Sequence, residues 1–295
     1  MRATKTTKTA TTTASVAPEA PASQSPCVPP AIELHGVSKR FLTPSGAVFT
    51  ALRDLEMVVQ PGEFCAVVGP TGCGKSTTLA LISGLEPASE GEVKVFGEPV
   101  TGIAKQIGYV FQTDAVFPWK TVVDNVAAGP RYHGATSKDA REKAREWIAR
   151  VGLAGFEDRY PYQLSGGMRK RVALAQSLIN EPNILLMDEP FSALDVQTRA
   201  LMENELLALW AASKASVVFV THDLEEAIAL ADRVFVISAG PGTVKANYPV
   251  PLSRPRNVTE IRMQPQFSEI YSEIWNDLKD EVLVSYERQK RSGAA

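Results

Sequence analysis

The sequence predicts an α/β fold: a mostly parallel core sheet covered by helices, with half-buried strands before it and a mostly helical stretch within it. Three observations carry this. The runs 64–68, 184–187 and 217–220 are apolar without interruption, as strands buried on both faces must be. Helical patterns lie between them, and strand–helix alternation gives a parallel sheet. A glycine-rich turn, residues 69–76, joins the first run to a helix. The 295 residues, 44% of them apolar, suit one large or two small domains.

Each element follows in order. Residues 1–30 are dominated by Thr, Ala, Pro and Ser; their few large apolar side chains cannot offset the entropy of ordering them, so a disordered tail is expected. No acid precedes Glu19, as in organelle transit segments, but no amphipathic pattern accompanies this. From Ala31 the spacing of Ile32, Leu34 and Val37, then Val48, Leu52, Leu55 and Val58, predicts half-buried strands around a turn at Pro44-Ser-Gly46. The stretch from about 113 to 180 reads as helical. One charged amphipathic helix starts at Thr136 and Ser137 and carries Trp147, Ile148 and Val151; another follows Ser165-Gly166-Gly167. Leu201, Leu206, Leu209 and Trp210 then set out a helix from Asp195, and Asp223 with Glu226 predicts a capping box opening the next. The nucleotide-handling part therefore spans 31–240. Residues 241–295 form a C-terminal extension, a Pro/Gly-rich connection and a helix with Phe267, Ile270, Ile274, Leu278 and Val282 on one face.

Composition narrows the function. A formal charge of −2 argues against holding nucleic acid by bulk positive charge. No apolar run is long enough to span a bilayer. Cys27, Cys65 and Cys73 fit neither a disulfide framework nor a zinc site, which suggests a reducing compartment.

Gly69, Pro70, Thr71, Gly72, Cys73, Gly74, Lys75 and Ser76, with Thr77 following, match G-x-x-x-x-G-K-[ST] between a strand and a helix. The glycines let backbone amides wrap a polyphosphate at a helix N-terminus. Lys75 would supply positive charge to the β and γ phosphates, and Ser76 a hydroxyl to Mg²⁺. The run at 184–187 ends in Asp188 and Glu189. Neighbouring strand residues point oppositely, so Asp188 could serve the metal while Glu189 polarises an attacking water. His222 follows the run at 217–220, and parallel packing would bring it to the same sheet edge for a γ-phosphate role. Cys73, beside inward-pointing amides, is expected to be acidified and open to alkylation.

Leu164-Ser165-Gly166-Gly167-Met168 heads a helix, and with the other motifs the chain resembles the ATP-binding cassette (ABC) family. The supporting segments keep the family's order: Phe41 in Val37-Ser-Lys-Arg-Phe, the loop at 69–76, Gln112 in Gly108-Tyr-Val-Phe-Gln, the signature, Asp188 and Glu189, Ser192-Ala-Leu-Asp195, and Thr221-His222-Asp223. The resemblance implies that Phe41 stacks on adenine, although an edge-strand role is equally natural. It implies that Gln112 meets Mg²⁺ and the lytic water, and that Ser165, Gly166 and Gly167 face the γ-phosphate held by a second copy, with Asp195 at the seam. The resemblance also implies the cassette's α/β P-loop fold, with an antiparallel β subdomain and an α-helical subdomain (about 113–180) attached to the core sheet; ATP and Mg²⁺ are the expected cofactors, and a head-to-tail homodimer the expected assembly.

A cassette without fused spans resembles an importer subunit, implying integral-membrane permease partners, an indirect solute-binding protein, no nucleic acid, and a peripheral position on the cytoplasmic side of the membrane. The stretches 231–238, 240–244 and 251–256, with Phe117-Pro-Trp119 and Gly167-Met-Arg169, resemble the nitrate/sulfonate/taurine branch. Phe117 and Trp119 fall where the family meets its permease, the competing reading being subdomain core. Lys170 stands where Gln is usual. A free-standing exporter cassette and a non-transport ATPase acting on DNA or ribosomes are the alternatives, the latter lacking its expected coiled-coil insertion or second cassette.

Overall fold

The computed structural model describes residues 28–104, 106–113 and 115–292; the tail reading for 1–27 and Cys27 lie outside them. Two sheets form the molecule. The antiparallel one has the order β2-β1-β4-β5, from β1 (Ile32–Leu42), β2 (Val48–Val59), β4 (Glu90–Val95) and β5 (Glu98–Pro99). The larger has the order β10-β9-β3-β8-β7-β6, from β3 (Phe64–Val68), β6 (Ile107–Val110), β7 (Ile184–Asp188), β8 (Ser216–Thr221), β9 (Arg233–Ile237) and β10 (Val244–Pro249). All its pairings are parallel except β9 with β10.

The uninterrupted apolar runs now have their reason. On β3, Phe64, Ala66 and Val68 face a core shared with the helices, whereas Cys65 and Val67 face the core between the two sheets. β8 divides the same way: Val217 and Phe219 join the first core, Val218 and Val220 the second. A strand packed on both faces cannot alternate with polar residues.

The helices are α1 (Lys75–Ser83), α2 (Val122–Val126), α3 (Ala128–Tyr132), α4 (Ser137–Arg150), α5 (Gly166–Leu178), α6 (Val196–Ser213), α7 (Leu224–Leu230), α8 (Val258–Ile261) and α9 (Pro265–Ser292). α2 to α5 form the helical subdomain around Val123, Ala144, Ile148 and Leu174. Thr136 caps α4 by accepting from the Asp139 N–H. The Pro/Gly-rich connection after 241 contains a strand, β10, that the pattern did not predict. Val250, Leu252, Phe267, Ile270, Ile274 and Leu278 bury themselves in the main core, so α9 packs on its own domain. No helix among the described residues is long and apolar enough to cross a membrane.

Asp223 caps α7 through the Glu225 and Glu226 amides, but the expected capping box is half formed. The Glu226 carboxylate instead accepts from the Thr221 hydroxyl at 2.5 Å, and Thr221 Oγ1 accepts the Asp223 N–H at 3.0 Å.

Candidate functional site

β3 runs into the loop Gly69 to Gly74, and α1 begins at Lys75. Gly74 sits at φ +104°, where a side chain would be strained, and an added Cβ would lie 2.5 Å from Leu52 Cδ2. The loop therefore turns tightly against β2 and leaves its amides at the mouth of α1. The buried Lys75 ammonium donates to the Gly69 and Pro70 carbonyls at 2.9 and 3.1 Å and lies 4.0 Å from Glu189 Oε1. It can exchange these neighbours for phosphate oxygens without leaving the loop.

The ends of β7 and β8 bring the predicted polar groups together. The Ser76 hydroxyl donates to Asp188 Oδ1 at 3.0 Å. Burial pushes the Asp188 carboxyl upward, and the Ser76 hydrogen bond pulls it back. His222 Nδ1 lies 3.0 Å from Glu189 Oε2, and the Gln112 amide donates to that oxygen at 3.4 Å. The Glu189 backbone donates to the Val220 carbonyl at 2.9 Å, extending the β7–β8 ladder. Glu189 adopts φ +42°, a left-handed conformation that costs an L-residue about 1–2 kcal/mol. This backbone conformation carries the carboxylate that faces Lys75, Gln112 and His222.

Ser76 and Asp188 offer hard oxygen donors side by side, the set that Mg²⁺ takes together with phosphate oxygens. No cluster of three or more His, Cys, Asp or Glu that could hold a metal ion occurs among the described residues.

Other expected site residues are placed differently. Phe41, half-exposed, pairs with Phe49 across the β1–β2 hairpin, with the Lys39 ammonium 4.8 Å from its ring. Thr71, Gly72 and Ser76 are exposed, whereas Thr77 is half-buried. Ser165 caps α5, its hydroxyl accepting the Met168 N–H at 3.3 Å; Ser165 and Gly166 are exposed, and Gly167 packs toward Thr198. The signature thus stands outside the Glu189 cluster of its own chain. Asp195 caps α6 through the Thr198 N–H at 3.0 Å, which holds its carboxyl below the usual range. Trp119 is 71% exposed, which overturns the subdomain-core alternative for that side chain.

Cys73 corrects the acidified-thiol expectation. It is 1% exposed, and burial pushes its thiol up, outweighing Lys75 and the local amides. It is a packing residue, and the predicted alkylation chemistry does not follow.

Two sets of contacts were not foreseen: those of Arg199, and the partner of Lys170, a residue the sequence had marked only as a departure. Arg199 reaches Asp223 Oδ2 at 3.1 Å, the Leu194 carbonyl at 3.2 Å and Glu226 Oε1 at 3.6 Å. It thereby ties the segment before Asp195 to the turn bearing His222; its spacing four residues after Asp195 was the available signal. Lys170, buried on α5, donates to the Gln112 carbonyl at 2.6 Å. The unusual cation thus links the signature helix to the Gln112 segment.

An open phosphate loop, paired metal donors and a strained carboxylate at the carboxyl ends of a parallel sheet define a P-loop nucleoside triphosphatase. Comparison with known proteins makes this specific. The ABC transporter family pattern matches residues 52–192. An ABC transporter ATP-binding protein of Methanocaldococcus jannaschii is 48% identical over 235 residues, covering 80% of this chain and 86% of that one. The aliphatic sulfonates import ATP-binding protein SsuB of Bacillus cereus is 39% identical, covering 87% and 96%. The nitrate import ATP-binding protein NrtD of Synechocystis is 41% identical, covering 82% and 93%. The dimeric post-hydrolysis structure of the ATP-binding cassette MJ0796 bound to ADP and Pi superposes with a TM-score of 0.67 at 30% identity, covering 75% of this chain and all of that one. The chain belongs to the ABC transporter ATP-binding family and is an ATPase whose hydrolysis is coupled to transport.

Proposed function

We propose that this ATPase powers an importer of small anionic or organic solutes, the class of nitrate, sulfonate and taurine, through separate integral-membrane permease subunits. The observation that carries the proposal is its identity of 39% and 41%, over 87% and 82% of the chain, to cassettes named for sulfonate and nitrate import. The working unit is a homodimer on the cytoplasmic side of the membrane, served indirectly by a solute-binding protein and with no role for nucleic acid.

Within each site the 69–76 amides and Lys75 hold the polyphosphate, and Phe41 stacks on the adenine. Ser76, Asp188 and Gln112 would hold Mg²⁺, which supplies charge neutralisation at the β and γ phosphates. Glu189 orients and polarises the water in line with the γ-phosphate, and His222, kept against Glu189, contacts that phosphate. Ser165, Gly166 and Gly167 of the second copy close the site, with Asp195 at the seam. Their helix N-terminus suits an anion and offers no nucleophile.

A groove of about 870 Å³ lies between β6, α3 and α5, lined in part by Tyr109, Phe111, Phe117 and Tyr132. Exposed Trp119 pairs with Phe117 beside it, ring centroids 5.7 Å apart. An apolar groove adjoining the Gln112 segment supports a permease contact that reports to the water-orienting side chain.

The test is reconstitution with the permease and solute-binding protein, reading vanadate-sensitive ATP turnover against a panel of solutes. Stimulation by a sulfonate, nitrate or taurine is expected. Stimulation only by a solute on the cytoplasmic face, or only by nucleic acid, would reject import.

A further inference from the structure

α9 does more than cover apolar surface: its distal part reaches the back of the nucleotide loop. Ile270, Ile274 and Leu278 seat it on the core, and Tyr248 donates to Asp277 at 2.5 Å. One turn on, Glu281 Oε2 accepts the Ala239 N–H at 2.7 Å while Oε1 pairs with Lys245 at 3.1 Å. Arg288 donates to the Gly240 carbonyl. Both contacts with the 238–243 turn thus come from one helix.

That turn is wedged between β2 and the phosphate loop. The Gly242 N–H donates to the Ala51 carbonyl and its own carbonyl accepts the Arg53 N–H, both at 2.9 Å. A Cβ on Gly242 would lie 2.1 Å from the Cys73 carbonyl oxygen, and one on Gly69 would lie 2.8 Å from that of Ile237. At Gly242 the backbone of the turn therefore rests directly on the loop backbone at Cys73, and Gly69 is packed as closely against the end of β9. Close-packed contacts of this kind transmit displacement rather than absorb it.

We propose that Glu281 is a positioning residue for ATP binding: by holding the Ala239 amide it fixes the 238–243 turn, and through Gly242 the phosphate loop, in the phosphate-receiving conformation. Arg288 serves the same turn through Gly240. Neither residue touches nucleotide. Their effect falls on affinity, because the amides of the loop bind phosphate while Glu189, His222 and Gln112 are supported separately by β7, β8 and α5.

The full-length chain tests this by direct titration with a fluorescent ATP analogue, alongside kcat and KM for ATP. E281A is expected to raise Kd and KM about three- to tenfold, the scale of one charge-assisted hydrogen bond partly transmitted, with kcat within about twofold. E281Q, whose amide oxygen can still accept from Ala239, should restore Kd to within about twofold of the parent. K245M, which removes the ion pair but leaves the turn held, should behave likewise. An unchanged Kd in E281A overturns the proposal. So does an equal loss in E281Q and K245M, which would assign the effect to helix docking by charge. Should E281A fail to fold, R288A at the exposed second tie decides: a raised Kd supports the proposal and an unchanged one overturns it.

Discussion

Two anion-facing regions of this molecule are built in opposite ways. At the ends of β7 and β8, Lys75, Gln112 and His222 converge on Glu189, and Ser76 is bonded to Asp188. At the tip of α5, Ser165 and Gly166 are exposed, and the Ser165 hydroxyl is taken up by its own helix cap. On the proposed mechanism the first region is a prepared reaction centre and the second a receptor for the nucleotide held by another copy. The contrast supports the proposal that hydrolysis needs the second region delivered by another copy, and it can be broken by experiment.

The largest effect is expected at the prepared centre. E189Q keeps the shape of the side chain and removes its basicity, so turnover should fall by about 10²–10⁴-fold while ATP binding persists. Single-turnover hydrolysis with a parallel binding titration checks this, and undiminished hydrolysis would remove Glu189 from its role. An intermediate effect is expected at the receptor. S165G is almost neutral as an N-cap, costing a few tenths of a kcal/mol, yet it removes the hydroxyl. The isolated chain should bind ATP and melt as the parent does, whereas the assembled pair should lose roughly tenfold or more in turnover. Equal turnover in parent and variant pairs would end the idea of a shared site.

The smallest effect separates both regions from the ionic layer beneath them. Glu203 is fully buried against Arg262 at 3.2 Å, and burial raises its carboxyl to about 7. The unfolded chain releases this proton at an ordinary carboxylate pKa, so between about pH 4.5 and 7 the folded state binds more protons. Stability from this group is therefore present at low pH and declines as pH rises through 7. E203Q should flatten that decline, changing the pH-dependent part of stability by about 1–3 kcal/mol. Thermal unfolding at a series of pH values reads it. Identical slopes in parent and variant would show that Glu203 titrates normally, and turnover at pH 7 should be preserved.

The sequence displayed the prepared region well because its signals are local. The unbroken runs on β3, β7 and β8 follow from burial on two faces, and 69–76 is a contiguous loop. Even the meeting of Glu189 with His222, 33 positions apart, followed from parallel strands ending at one edge. What stayed hidden depends on distant partners or on competing effects. β10 was missed because Val244, Lys245, Ala246 and Asn247 lack a run that signals two-sided burial; the strand is one-sided and at the sheet edge. The Arg199 and Glu203 networks join residues 24 and 59 apart. Cys73 was misjudged because amides and Lys75 could be read from the sequence, whereas the burial that outweighs them could not. Glu226 was assigned to a capping box by spacing, but the Thr221 hydroxyl lay nearer.

With the role proposed for Glu189, its left-handed backbone sets folding and turnover at odds. A glycine or asparagine there would sit more comfortably than the acid does, so selection for a hardier fold alone would drift toward silence at position 189. On the proposed mechanism a glutamate in that posture is a concession by the scaffold to its chemistry, and heat-resistant variants of this protein should be screened for lost turnover there first.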